Sequence, residues 1–175
     1  RDRNYLISLS KSYNFNIHGW IWTLNRPYDE ISSRNLNWYS VNKNGQNSYE
    51  YRPYVDYYQW LSPFSKGARE YIKDNISKIA SIEGLSSVHL DYIRYCDIFL
   101  PINLQKYYKI NQTNEFPEYD FGYHPNGRNR FKSMFGVDPI DIVDDQISKE
   151  WKQFRCDAVS SLVKNLKSIA KKKDK

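Results

Sequence analysis

The run Ser87-Val88-His89-Leu90-Asp91-Tyr92-Ile93-Arg94-Tyr95 concentrates the groups of this chain that could do chemistry. It reads as a short buried strand that ends on a carboxylate, with an arginine three residues beyond. Barrels of parallel strands and helices carry their reacting groups at the C-terminal ends of the strands, so a strand that stops on Asp is placed for work. Asp91 has the chemistry of a nucleophile, a general base or a metal ligand. It also has a structural option, capping the next turn or pairing with Arg94. Arg94 in turn either holds Asp91 ionised through a charge-assisted bond, grips a substrate oxygen, or fixes its loop as an ion pair.

Strand alternation extends the set. His89 and Asp91 share one face of the strand, while Val88 and Leu90 share the other and suit packing against helices. A second strand, Asn16 to Thr23, alternates in the same way, with His18, Trp20 and Trp22 on one side and Ile17, Gly19 and Ile21 on the other. The polar and aromatic sides are expected to point into the upper interior of a barrel, where a purely structural barrel favours Val, Ile and Leu. Each histidine alone also fits a hydrogen-bonded core role. Glu118 and Asp120 fall in the loop after the Asp91 strand, within reach of a substrate or simply solvated. Asp138, Asp141, Asp144 and Asp145 precede a helix, where acids suit the N-terminal dipole. Their spacing does not match a calcium loop, so no metal is expected.

The elements that must position these groups follow from periodicity. Arg1 to Tyr13 reads as a helix with Leu6, Leu9 and Tyr13 on one face. A Tyr-rich loop of about 40 residues follows the first strand, and loops of that length are usually functional or mobile. Ser62-Pro63 has the form of a helix start, with Ser as N-cap and Pro at the first helical position. Ala68, Tyr71, Ile72, Ile76, Ile79 and Ala80 then repeat at helical steps, and Gly84 ends the helix. After the Asp91 strand a second long loop runs to about Asp138. The last helix carries one apolar stripe from Trp151 through Phe154, Ala158, Leu162 and Leu166 to Ile169. Long connections follow strands and short ones follow helices, which is the asymmetry of a (β/α) barrel. A full barrel has eight strands, whereas two are visible here, so neighbouring strands must come from elsewhere. The expectation is one partial α/β domain over residues 1–175, with the rest of the barrel supplied by missing chain.

Composition excludes several classes. The net charge of +6 lies entirely between Trp151 and Lys175, where eight Lys or Arg oppose two Asp, and the first 150 residues balance at 18 and 18. That is one helix and its lysine tail rather than a basic surface, so no nucleic-acid partner is expected. No apolar run is long enough to span a membrane. Cys96 and Cys156 lack metal-ligand spacing and either pair or stay reduced. There is no Gly-rich phosphate loop, GxSxG elbow or HExxH, so no cofactor is expected. The excess is aromatic, with 16 Tyr, 8 Phe and 5 Trp. Rings over loops hold flat, amphipathic ligands such as sugars, and Tyr92 and Tyr123 are candidates for such contacts.

Trp60-Leu61-Ser62-Pro63, Val88-His89-Leu90-Asp91-Tyr92-Ile93-Arg94-Tyr95, Tyr119-Asp120-Phe121-Gly122-Tyr123, Phe135-Gly136-Val137-Asp138-Pro139 and Trp151-Lys152-Gln153-Phe154-Arg155 follow one another in this order. In these strings the chain resembles the glycosyl hydrolase-like family 10 domain, a group of bacterial TIM-barrel glycosidases, from about His18 to Lys167. The resemblance implies a partial (β/α)8 TIM barrel in which the two strands are about the third and fourth. It implies that Asp91 is the catalytic nucleophile, that the substrate is a carbohydrate, and that the setting is extracytoplasmic (periplasmic, lipoprotein or secreted). His18, Trp20, Trp22, His89, Tyr92, Arg94, Asp120 and Tyr123 are then its substrate-binding neighbours. Ser62 stands where many relatives have Asn, and either residue caps a helix. A glycosidase uses two carboxyl groups and this chain offers one at a strand end, so alone it is expected to be inactive. The alternative is a barrel protein that binds glycans without cleaving them.

Overall fold

The two strands read from the sequence pair with each other. In the computed structural model, which describes residues 2–52 and 54–173, β1 (His18–Trp22) and β2 (Ser87–Asp91) form a parallel two-stranded sheet. Arg1, Pro53 and the tail residues Asp174 and Lys175 lie outside the described residues. The register sets Trp20 beside His89 and Trp22 beside Asp91, with Ile21 beside Leu90 between them. One face of the sheet is therefore His18, Trp20, Trp22, Ser87, His89 and Asp91, and the other is Gly19, Ile21, Val88 and Leu90, as alternation requires. The two strands and six α-helices make a mixed α/β arrangement. Among the described residues the sheet has two strands, short of a closed barrel.

The apolar face is covered by α3 (Lys66–Ala80) and α6 (Asp145–Lys171). Ala68, Ile72, Ile76 and Ala80 form the buried stripe of α3, and Leu162 and Leu166 meet it from α6. Ile72 and Ile76 are fully buried, a gain of roughly 1.5–3 kcal/mol each. Gly19 lets α3 come close, because a Cβ there would lie 2.5 Å from Ile79 Cγ2. The start of α3 differs from the sequence expectation. Its N-cap is Ser65, whose hydroxyl accepts the N–H of Ala68 at 3.3 Å. The Ser62 hydroxyl instead closes a local turn by accepting the N–H of Phe64. A cap must lie directly before the first helical residue, and Ser62 sits a turn too early. The helix ends at Ala80, and Gly84 (φ +85°) turns the chain toward β2. There it presses against Ile7 of α1 (Asp2–Tyr13).

Both long connections contain structure that sequence periodicity missed. The first holds the single-turn helix α2 (Glu30–Ser33) and a 3-10 turn at Leu36–Trp38. Bridges from Asn25 to Trp60 and from Tyr39 to Leu61 fold it back across the sheet end. The second holds α4 (Ile102–Tyr108) and α5 (Pro125–Phe135). The buried residues of α5 are Gly127 and Phe131, too few to show as a stripe in the sequence. Phe131 packs with Tyr123, Trp151, Phe64 and Phe154 in a second aromatic core against α6. The two cysteines are free, Cys96 buried and Cys156 exposed. No helix among the described residues is long and apolar enough to cross a membrane.

His124 joins the two loops. Its Nε2 lies 2.9 Å from the Asn37 carbonyl and its Nδ1 accepts the N–H of Asn126 as the cap of α5. One nitrogen donates and the other accepts, so the ring is neutral in this arrangement. Burial lowers its pKa below the ordinary 6.5, against a smaller opposing effect of the Asn37 carbonyl. The unfolded chain then takes up this proton more readily than the folded one. Stability from His124 is present above its unfolded pKa and declines as pH falls through that value. Thermal unfolding should therefore come earlier at pH 5.5 than at pH 7, a window above the ordinary carboxylate range of about 4. His124→Asn, which keeps a capping side chain, should flatten that dependence.

Candidate active site

Asp91 closes β2 on the open face of the sheet, and its neighbours come from β1. Trp20 donates its indole N–H to Asp91 Oδ2 at 3.2 Å, and Oδ1 accepts the backbone N–H of Tyr92 at 2.8 Å. Beyond the strand ends the chains stay paired, since Thr23 N–H reaches the Asp91 carbonyl at 2.8 Å and Leu24 N–H the Tyr92 carbonyl at 3.2 Å. These bonds hold the end of β2 where Asp91 is presented.

Tyr92 is in the left-handed region, φ +48°. A residue with a Cβ in that region is strained by about 1–3 kcal/mol and persists only where its surroundings fix it. Here the Tyr92 ring contacts Trp22 at 4.9 Å, Trp60 at 5.5 Å and Tyr58 at 6.4 Å, edge to face in each case. The aromatic packing sets the turn that follows the carboxylate.

The sequence-predicted site residues divide into three groups. His18, Trp20, Trp22, His89 and Asp91 share the open face, and Tyr92 stands behind Trp22. His18 is at the far end of the strand, its Nδ1 2.6 Å from the Ser87 hydroxyl. Arg94 does not hold Asp91. Its two terminal nitrogens bind Asp97 at 2.7 and 3.1 Å, and its guanidinium lies over Trp60 at 5.1 Å and Tyr92 at 5.8 Å. Tyr58 donates its hydroxyl to the same Asp97, so Arg94 braces the loop. Asp91 already takes its hydrogen bonds from Trp20 and its own turn. Asp120 and Tyr123 belong to the α6 side. Asp120 pairs with Arg155 at 3.0 Å, and that guanidinium stacks over Tyr95, Trp151 and Tyr123. Gly122 makes room for it, since a Cβ there would lie 2.5 Å from its central carbon.

A cleft of about 720 Å³ opens beside Trp22, walled by Asn25, Arg26, Tyr28, Asp29 and Tyr57. Apart from Trp22, none of these residues was singled out by motif. Asn25, Arg26, Tyr28 and Asp29 follow the end of β1 directly, a position that is itself a signal, whereas Tyr57 comes from the far end of the same loop. Asp29 is ionised and occupied. Burial alone would raise its pKa, but the N–H of Ser32, the hydroxyls of Tyr71 and Ser32 and the charge of Arg26 together hold it below the ordinary value. Its Oδ1 caps α2 and its Oδ2 accepts the Tyr71 hydroxyl at 2.6 Å. Among the described residues no group of three His, Cys, Asp or Glu side chains is arranged to hold a metal ion. Comparison of the chain with protein-family models, with curated proteins and with solved structures found no match.

The Arg94–Asp97 assignment is checked by double-mutant cycles in urea unfolding. Arg94→Gln and Asp97→Asn should couple by about 0.5–1 kcal/mol, the range of a partly exposed pair. Arg94→Gln and Asp91→Asn should be additive within about 0.5 kcal/mol.

Proposed function

We propose that the open face of the β1–β2 sheet is the substrate side of a glycan-processing site, with Asp91 as its reacting carboxylate. The observation that carries this reading is the position of Asp91, last in β2, beside Trp22 in register and bonded to the exposed indole of Trp20. Cleavage of a glycosidic bond passes through an oxocarbenium-like transition state, which a carboxylate stabilises or captures covalently. Indole faces beside it offer the flat apolar surface that a sugar ring covers. The reading agrees with the strand-end placement of reacting groups in parallel α/β folds and with the family that the sequence resembles. An extracytoplasmic location belongs to the same proposal, as does a barrel completed by strands from outside this chain.

Hydrolysis also needs a proton donor, about 5–5.5 Å from the nucleophile in a retaining enzyme and farther in an inverting one. Asp29, the one carboxylate of the cleft wall, is fixed as a helix cap. In this proposal the acid therefore comes from a chain segment facing Asp91 across the open side. A second reading, glycan binding without turnover, is favoured by one observation: both oxygens of Asp91 already accept hydrogen bonds.

Asp91→Asn in the intact protein separates the possibilities. If Asp91 reacts, kcat on an oligosaccharide falls by orders of magnitude while KM and thermal unfolding change little. If its role is to hold Trp20 and the Tyr92 turn, the variant loses about 1–3 kcal/mol of stability and keeps its rate. That second result would sink the catalytic reading. Sugar bound without cleavage in the wild type would select the binding protein instead.

A further inference from the structure

Tyr28 holds a backbone conformation that its own packing does not explain. Its φ of +60° lies in the left-handed region, where a residue with a Cβ is strained and persists only if its surroundings fix it. Asn14 and Lys109 share that region for an ordinary reason, since each directly follows a helix. Tyr92 shares it under the packing of three rings. The Tyr28 ring is 81 % exposed and meets no other ring among the described residues. The fixing comes from beneath. The Tyr28 N–H donates to Gln59 Oε1 at 3.2 Å, the Arg26 N–H to the Gln59 carbonyl at 2.8 Å, and the Gln59 N–H to Asn25 Oδ1 at 3.0 Å. Both Gln59 and Asn25 are buried. Two buried amide side chains thus hold an exposed ring in a strained position.

That ring lines the cleft beside Trp22, and a second ring of the same cleft is fixed as firmly. Tyr57 is 37 % exposed, stands edge-on to the buried Tyr58 at 5.2 Å and lies against Trp22 at 6.0 Å. Pro27 adds further apolar surface. The charges of the wall balance, because Arg26 and Asp29 each favour the ionised form of the other. Asp29 also has both oxygens engaged, by Ile31 and Ser32 on one and Tyr71 on the other. The volume of about 720 Å³ falls within the roughly 300–1,000 Å³ of small-molecule sites, which are lined mainly by apolar and aromatic groups. A cleft with ring faces and no net charge suits the apolar face of a neutral sugar ring.

We propose that this cleft is a subsite for a neutral pyranose unit, further along the glycan from the unit at Asp91, with Tyr28 and Tyr57 as its stacking surfaces. The proposal rests on the glycan reading of the Asp91 face and makes the substrate an oligomer or polymer of uncharged sugars. Trp22 joins the two places, since it borders the cleft and stands beside Asp91 in register. The strain at Tyr28 is then the cost of presenting a ring to a ligand rather than to the core.

The test is a titration of the intact protein, followed by tryptophan fluorescence, with the maltose and cellobiose series from disaccharide to hexasaccharide and with a uronate trisaccharide. Affinity for one of the neutral series should rise by about three- to tenfold once the chain is long enough to reach the cleft, the range of one ring contact. Tyr57→Ala should cancel that rise and Tyr57→Phe should keep it, with disaccharide affinity the same in both. Tyr28→Gly should melt at a higher temperature than the wild type, because glycine adopts a positive φ without strain, and should still lose the rise. A purely structural Tyr28 would give the reverse, earlier melting with binding unchanged. Retention of the rise by either Tyr57→Ala or Tyr28→Gly, or no rise in the wild type, overturns this inference and leaves the glycan reading intact. Tighter binding of the uronate than of the neutral trisaccharides does the same. Binding of no member to the folded wild type overturns both.

Discussion

The pairing of β1 with β2 in parallel register is the constraint on which the rest of the structure depends. Because side chains alternate along a strand, the alignment that puts Ile21 beside Leu90 on the helix side also puts Trp22 beside Asp91 on the open side. A slip of one residue would turn the apolar set outward and bury the carboxylate, and burying an unpaired charge is strongly unfavourable. The fully buried stripe of α3, meeting Leu162 and Leu166 of α6, anchors the register through the apolar face. Packing on one side of the sheet thus decides the chemistry presented on the other.

Around that frame, two arginines do mechanical work. Arg94 joins Asp97 and two aromatic rings, and Arg155 joins Asp120 and three. Each ties a loop to its surroundings with a charged pair shielded by ring faces, an arrangement that suits the planar guanidinium better than an ammonium. The loops are Tyr-rich for the same reason. Tyr54 donates its hydroxyl to the Asp97 carbonyl, and Tyr39 donates to the Ser32 hydroxyl, so an aromatic body fills space while its tip satisfies a buried polar group. Much of the aromatic excess therefore builds the loops rather than lining a binding surface.

Periodicity made the frame legible in the sequence. Alternation across His18–Trp22 and Ser87–Asp91 gave both strands and their faces, and the stripes of α3 and α6 gave their buried sides. Short elements such as α2 and α5 escaped because few of their residues are buried and local caps do most of the shaping. Arg94 was ambiguous for a simple reason: Asp91 and Asp97 stand three residues to either side of it. Spacing alone offers both partners, and only the fold shows that Trp20 and the Tyr92 turn have already engaged Asp91.

The separation of the two strands along the chain also has a kinetic side. His18 and Ser87 are 69 residues apart, so the sheet cannot close until a long stretch of chain has been ordered. Closing a loop of that size before any contact rewards it is entropically uphill. Helix α3 lies within the stretch, adjacent to β2, and its contacts with β2 are local by comparison. A nucleus of α3 and β2 that later recruits β1 is the route of lower entropy, and it would give high φ-values at Ile76 and low ones at Ile21. In that order the carboxylate would be in place before the indole that holds it, and the open face would be the last part of the frame to form.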